Sequence, residues 1–232
     1  MELKSFQRRV LEDLTFFLNN LQIESPELAF KKLWLERYGV DLEKETFKSF
    51  RYKSQKGIPL SACIKIPTGG GKTFVGVNAT KLILDKLPSD GINAVVWLVP
   101  SDTILKQTLE AFRNPLHPYR IKLSQLFGSV NVLSKEQLLQ GVGFNRSTVT
   151  EALTLMVLSY DSFRGKKNEL KSKRENSQLL DMSMMPSSKE TKVEDADPTS
   201  LLQVINKLNP VVVVDESHHA KTSLSMDMLR AF

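Results

Sequence analysis

The chain has 232 residues, of which 41% are hydrophobic and 25% charged, and its formal net charge is +6. This length and composition are typical of a globular protein with a sizeable core, and the positive charge suits a nucleic-acid partner. The single cysteine excludes an intrachain disulfide and favours a reducing compartment. No segment approaches the roughly 18 apolar residues of a membrane span, so we expect a cytoplasmic protein without membrane contact.

The first part of the chain is predicted to be helical. Apolar residues recur at helical spacing over residues 5–20, and a second helix is predicted over residues 26–38, after Ser25. The charged stretch 39–59 indicates a loop with a short helix. The apolar run at residues 60–66 ends at a proline and a glycine cluster, and it predicts a buried strand.

Helices and strands are then predicted in alternation. The helices are expected at residues 72–87, 102–112 with Ser101 as N-cap, 136–139 and 201–208. The strands are expected at residues 93–99, 130–133, 154–159 and 211–215. Residues 113–128 give no clear pattern. Apolar strands that alternate with helices indicate a parallel sheet covered on both faces.

Residues 165–199 interrupt this alternation. The segment is rich in charge and poor in large apolar residues, with the runs KSKRENSQ and MSMMPSSKETKVEDADPTS. It predicts an exposed insertion that is helical at its start and mobile in the middle. Its basic runs have two interpretations, a nucleic-acid contact or a solvated charged face, and the second is favoured.

The sequence PTGGGKT at residues 67–73 has the composition of a phosphate-binding loop. Adjacent glycines let backbone N–H groups wrap a phosphate, and a helix that begins at Lys72 would add its positive dipole end. Lys72 would reach the β- and γ-phosphates, and the Thr73 hydroxyl would bind Mg²⁺. The general G-x-x-x-x-G-K-[ST] pattern would place glycine at Ile66, so the loop fits the variant P-T-G-x-G-K-T. The predicted ATP-binding residues are Thr68, Gly69, Gly70, Gly71, Lys72 and Thr73.

The second motif is VVVVDESHH at residues 211–219, in which two acidic residues follow a run of four valines. Asp215 at the end of this strand would hold Mg²⁺ with Thr73, and Glu216 would polarise the attacking water. Asp215, Glu216, His218 and His219 could instead form a zinc site, although their spacing does not match H-E-x-x-H. The favoured interpretation gives His218 a role in sensing the nucleotide state. We therefore predict Lys72, Asp215 and Glu216 as catalytic residues.

With both motifs, PTGGGKT and VVVVDESHHAKT, the chain resembles the first RecA-like domain of superfamily 2 helicases. Within them it most resembles the type III restriction enzyme Res-subunit family, near the DEAD/DEAH-box proteins. The resemblance implies an α/β fold, a three-layer RecA-like P-loop NTPase domain with a mainly parallel sheet and helices before its first core strand. It implies an N-terminal helical segment at residues 1–58 and a RecA-like ATP-binding domain at 59–232, incomplete at its C-terminus.

Three weaker segments match this family in order. LKSFQRRVLEDL resembles its opening helix, in which a glutamine reads the adenine, and Gln7 takes that place. WLVPSDTILKQT resembles motif Ia, which places Pro100 and Ser101 at a nucleic-acid backbone. VLSYDSF resembles motif Ib, with Ser159 and Tyr160 as candidates for nucleic-acid contact. For these last segments, capping of a following helix is the alternative interpretation.

The family also implies partners beyond the 232 residues. These are DNA, with RNA as the second choice, a second RecA-like domain and a possible nuclease domain of the same polypeptide, and a possible modification or specificity subunit. The sequence stops before a T-A-T-P-like motif. The resemblance therefore implies an amino-terminal part of a larger translocase that, by itself, binds nucleotide weakly and hydrolyses it poorly.

Three functions remain open at this point. The favoured one is an ATP- and Mg²⁺-dependent DNA helicase or translocase module of a restriction or related DNA-processing enzyme. A P-loop kinase or another small-molecule NTPase is the first alternative, but it leaves the motif Ia-like segment unexplained. A nucleotide- or nucleic-acid-binding fragment without turnover is the second, against which Lys72, Thr73, Asp215 and Glu216 are all present.

Overall fold

Three helices form the described part of the N-terminal region: α1 (Ser5–Leu21), α2 (Pro26–Tyr38) and α3 (Lys72–Lys86). All three confirm predicted helices. The computed structural model describes residues 1–42, 44, 52, 60–87, 91–163, 169–173, 176–187, 193 and 196–215. It divides into two compact units, Met1–Leu87 and Pro88–Phe232.

Helix α1 packs against α3 in the first unit. Three buried leucines of α1 form a cluster with residues of the glycine loop and α3; its members are Leu11, Leu14, Leu18, Ile66, Val75 and Ala79. Because this cluster joins α1 to α3, the first unit extends to Leu87. The predicted domain boundary between residues 58 and 59 lies outside the described residues and stays a prediction.

Asp13 joins α1 to α2. Its carboxylate accepts a hydrogen bond from Arg37 Nε at 2.8 Å and another from the Tyr38 hydroxyl. The hydrogen bond to Asp13, with burial second, raises the pKa of Tyr38 above its usual value. Both partners lie in the last turn of α2, so the end of this helix is fixed against the first half of α1.

The prediction of a strand at residues 60–66 is wrong. All seven residues are described, none of them is in a strand, and only Ile66 is buried. A strand needs a neighbour to receive its backbone hydrogen bonds. The regular elements described in the first unit are helices, so the segment finds no strand partner there.

The second unit contains a parallel sheet of four described strands. They are β1 (Ala94–Val99), β2 (Val130–Leu133), β3 (Leu153–Ser159) and β4 (Val211–Val214), in the order β2-β3-β1-β4. Val96 of β1 lies opposite Met156 of β3 and Val212 of β4. Each strand was predicted, and β1 and β3 are buried throughout because they are the two inner strands of this parallel sheet.

Helices cover both faces of this sheet. On one face Val96, Leu98, Met156 and Leu158 pack with residues of the helices α6 (Lys135–Gln140), α7 (Arg146–Glu151), α8 (Ser177–Ser183) and α9 (Leu201–Lys207). On the other face the Trp97 ring meets Phe112 of α4 (Asp102–Arg113), edge to face, with 5.1 Å between centroids. The architecture is therefore α/β with helices on both faces of a parallel sheet, consistent with the predicted RecA-like class.

Two helices lie where no element was predicted. Helix α5 (Pro118–Phe127) occupies the unassigned stretch, with Pro118 in its first turn. Helix α7 is only six residues long, and the side chain of its N-cap residue Asn145 accepts from the Thr148 N–H at 3.1 Å. By contrast, the predicted cap Ser101 is confirmed, since its hydroxyl accepts from the Ile104 N–H at 3.4 Å.

The segment predicted as an exposed insertion supplies part of the core. Four of its apolar residues are buried in the cluster that includes β1 and β3: Leu170, Leu179, Met182 and Val193. A prediction based on composition missed these residues because they are few and widely spaced. A few apolar residues are nevertheless enough to bury one side of a charged segment. Helix α8 lies inside the segment, whereas residues 165–168, where the helical start was predicted, lie outside the described residues. None of the helices in the described ranges is long and apolar enough to cross a membrane.

We expect Leu179→Ala to lower the free energy of unfolding by about 2–5 kcal/mol, because it opens a cavity in a packed core. Leu179 is 0% exposed, whereas its neighbour Leu180 is 43% exposed. Leu180→Ala is therefore the matched control and should change stability by less than about 0.5 kcal/mol. Urea denaturation of both variants measures the difference. Equal stability of the two would mean that this helix does not belong to the core.

Candidate nucleotide-binding site

The glycine loop turns sharply before α3. Gly69 and Gly71 both have φ of 74°, in the left-handed region that favours glycine. The Gly70 N–H donates to the Pro67 carbonyl at 2.9 Å and closes the turn, and the Gly71 carbonyl accepts from the Val75 N–H at 3.1 Å. The loop therefore passes directly into the first turn of α3, with Gly71 as its N-cap residue.

Two of the glycines also lack room for a side chain. A Cβ added at Gly70 would lie 2.5 Å from Ile66 Cγ2 and 2.8 Å from the Pro67 carbonyl oxygen. At Gly71 it would lie 2.7 Å from Gln7 Nε2, while at Gly69 nothing lies within 4 Å. The backbone is thus closely packed at Gly70 and Gly71 and has open space beside Gly69, an arrangement that suits a phosphate-binding loop.

Gln7 of α1 contacts this loop directly. Its Nε2 donates to the Gly70 carbonyl at 2.7 Å, and its Oε1 accepts from the Lys4 N–H at 2.8 Å. The side chain is only 2% exposed. The sequence predicted Gln7 as an adenine reader, and it did not predict the contact between Gln7 and the loop backbone.

Lys72 and Thr73 are the first two residues of α3, and both are half-buried. The first turn of a helix presents N–H groups without intrahelical partners and the positive end of the helix dipole. Helix α3 is 15 residues long. One short stretch therefore contributes an ammonium group, a hydroxyl and these N–H groups. Together they suit an anion such as a phosphate.

Asp215 follows β4 in the second unit. Its N–H donates to the Leu98 carbonyl at 2.9 Å, which continues the pairing with β1 for one more residue. Its own carbonyl accepts from the Tyr160 hydroxyl at 3.1 Å. The backbone of Asp215 is therefore fixed from two directions, and its carboxylate belongs to a residue at the carboxyl edge of a parallel sheet.

The residues predicted to contact nucleic acid lie at the same edge, because they follow β1 and β3. Pro100 and Ser101 are half-buried, and the Ser101 hydroxyl caps α4. Ser159 and Tyr160 are 2% and 7% exposed. Tyr160 bonds to Asp215, and the Ser159 hydroxyl lies 3.4 Å from that of Ser162. Both side chains are therefore buried in this structure, and their predicted phosphate contacts stay predictions.

Glu216, His218 and His219 lie outside the described residues, so their predicted roles remain predictions. Within the ranges that the structure describes, no group of three or more His, Cys, Asp or Glu side chains is arranged to hold a metal ion.

We expect Gly71→Ala to lower the free energy of unfolding more than Gly69→Ala. Both substitutions place alanine at positive φ, which costs about 1–2 kcal/mol, but only the one at Gly71 adds a clash, with Gln7. Thermal unfolding of both variants measures this difference. The clash should largely disappear when Gly71→Ala is combined with Gln7→Ala. Equal effects of the two glycine substitutions would contradict the close approach of Gln7.

Comparison with known proteins gives one match. The family model described as "Type III restriction enzyme, res subunit" matches residues 1–231. Searches of curated proteins and of solved structures found no match. The family indicates a helicase- or ATPase-type motor domain that uses a nucleotide and a metal and interacts with DNA and with other domains or subunits. Because the match covers nearly the whole sequence, the chain belongs to the type III restriction enzyme res-subunit family.

Proposed function

We propose that the chain is the ATP-binding motor module of a DNA helicase or translocase, and that it binds and hydrolyses ATP with Mg²⁺. The observation that carries the proposal is the glycine loop, whose backbone is held against α1 and passes directly into the N-terminus of α3. Gly69 and Gly71 adopt the positive φ that this turn needs, and Lys72 and Thr73 follow at once. This arrangement supplies the donors that bind a triphosphate.

Each polar residue of the two motifs has a proposed role. Lys72 neutralises charge on the β- and γ-phosphates, and backbone N–H groups from Thr68 to Gly71 hold their oxygens. Thr73 and Asp215 would hold Mg²⁺, which when bound neutralises the charge that develops on the phosphates. Glu216 orients and polarises the attacking water. Most of the rate gain then comes from positioning and charge neutralisation.

The carboxyl edge of the sheet is the proposed path of DNA. Asp215, Ser101 and Tyr160 follow β4, β1 and β3, and ligands of parallel sheets bind at this edge. Pro100 and Ser101 are the proposed contacts to the DNA backbone, and His218 is proposed to report the nucleotide state. A second RecA-like domain would complete the site, and closure of the two domains would couple hydrolysis to movement.

We expect Lys72→Ala to weaken the binding of MgATP by about ten- to a hundredfold, because it removes a charge-assisted contact worth about 1.5–3 kcal/mol. Lys81→Ala is the matched control. It removes the same charge from the same helix, where Lys81 pairs with the exposed Asp85 at 2.5 Å, and it should leave affinity unchanged. Isothermal titration calorimetry of both variants measures this. Equal affinities for the two variants would contradict the proposed loop function.

In a protein that carries this chain together with the proposed second RecA-like domain, we expect duplex DNA to stimulate ATP hydrolysis at least severalfold, with the stimulation falling as salt is raised because phosphate contacts release counterions. An unrelated polyanion such as polyglutamate at equal charge is the control. A P-loop kinase would instead transfer phosphate to a small acceptor without responding to DNA. Equal rates with DNA, with polyglutamate and without either would contradict the motor proposal.

A further inference from the structure

The Tyr160 hydroxyl joins the ends of two strands that do not pair with each other. Tyr160 comes directly after β3 and Asp215 directly after β4, and β1 lies between these two strands in the sheet. Two strand spacings amount to about 10 Å, a distance that calls for a long side chain. The hydroxyl spans it and donates to the Asp215 carbonyl at 3.1 Å.

Packing holds the Tyr160 ring in place. The residue is only 7% exposed and belongs to the apolar cluster on one face of the sheet, together with Leu158 and Phe163. Val214, the residue before Asp215, packs against the same cluster. Because side chains in a closely packed core have little freedom to move, the ring is a fixed support, and its hydroxyl restrains the carbonyl that it contacts.

Both backbone polar groups of Asp215 take part in hydrogen bonds. Its N–H donates to the Leu98 carbonyl at 2.9 Å, and its carbonyl accepts from Tyr160. The residue-by-residue pairing of β1 with β4 ends one position earlier, at Val214. Tyr160 therefore restrains the Asp215 carbonyl at a point beyond the last paired residue of the strand. With the N–H and the carbonyl both held, the direction in which the Asp215 side chain leaves the backbone is held as well.

We propose that Tyr160 is a positioning residue for the metal-binding acid, and that its hydroxyl keeps the Asp215 backbone in the orientation that Mg²⁺ binding requires. The inference rests on the proposed function, since it requires that Asp215 hold Mg²⁺ beside a bound nucleotide. Mg²⁺ demands near-ideal octahedral geometry from its ligands, so a small rotation of the strand end lowers the affinity for the metal. Tyr160 acts on the metal through Asp215. Its hydroxyl therefore contributes to the binding of MgATP and not to the binding of metal-free ATP.

The test compares ATP binding with Mg²⁺ and ATP binding in EDTA, both measured by calorimetry. Tyr160→Phe removes the hydroxyl and keeps the buried ring, whereas 4-aminophenylalanine at the same position restores a hydrogen-bond donor. Tyr119→Phe is the matched control, because Tyr119 lies in the same unit and packs against an aromatic residue, Phe112, but belongs to a helix and does not follow a strand. Amide hydrogen exchange of Asp215, followed by NMR without nucleotide or metal, reports on the strand end itself.

We expect Tyr160→Phe to weaken the binding of MgATP by about three- to tenfold, the effect of one hydrogen bond, and to change the binding of metal-free ATP by less than about twofold. Exchange of the Asp215 amide should become faster. Tyr119→Phe should change none of these quantities, and 4-aminophenylalanine at residue 160 should restore the wild-type values.

Three results would overturn the inference. The first is an equal loss of affinity with and without Mg²⁺, which would indicate a general structural effect. The second is an unchanged affinity for MgATP in Tyr160→Phe. The third is loss of the folded state in this variant, seen by thermal unfolding, since the hydroxyl would then serve the fold as a whole. Failure of the wild-type chain to bind MgATP would instead refute the proposed function itself.

Discussion

The backbone path of the glycine loop is limited by a lack of space, against α1 at Gly71 and against Ile66 and Pro67 at Gly70. The Gln7 amide lies where a side chain of residue 71 would begin, and Ile66 and Pro67 lie where one of residue 70 would begin. This backbone path therefore requires glycine at residues 70 and 71. The Gly70 carbonyl accepts a hydrogen bond from Gln7 of α1. This constraint explains why an N-terminal helix, distant in sequence, belongs to the same compact unit as α3.

In the second unit, backbone pairing provides the corresponding constraint. Parallel strands end at one edge, so β1, β3 and β4 place Ser101, Tyr160 and Asp215 at neighbouring positions. Tyr160 joins two of these strand ends, because its hydroxyl bonds to the carbonyl of Asp215. A shift of Tyr160, which follows β3, would therefore be transmitted to the backbone of Asp215 through this one hydrogen bond. The apolar strands supply a rigid support, and the chemistry is confined to the residues that follow them.

Much of this structure could be predicted from the sequence because its signals are local. Helical spacing predicted α1, short apolar runs predicted the four strands, and Ser101 marked the start of α4. The prediction failed where the result depends on distant partners. Residues 60–66 are apolar enough for a strand but have no strand to pair with among the described residues of their unit, and Leu179 lies in a charged segment whose few apolar residues reach the core. Gln7 and Tyr160 each donate a hydrogen bond to a backbone carbonyl, at Gly70 and Asp215, which lie 63 and 55 residues further along the chain. No local sequence pattern predicts these hydrogen bonds.

We propose that Lys72 and Asp215 act on one bound MgATP, and this proposal is the central claim of the account. A double-mutant cycle tests it most directly, with calorimetric affinities for the wild type, Lys72→Ala, Asp215→Asn and the variant that carries both. Two residues that bind the same ligand cooperatively should show a coupling free energy above about 0.5 kcal/mol, whereas independent sites add within that limit. The account predicts that the double variant loses clearly less than the sum of the single losses. Additive losses, or no loss in Asp215→Asn, would contradict it.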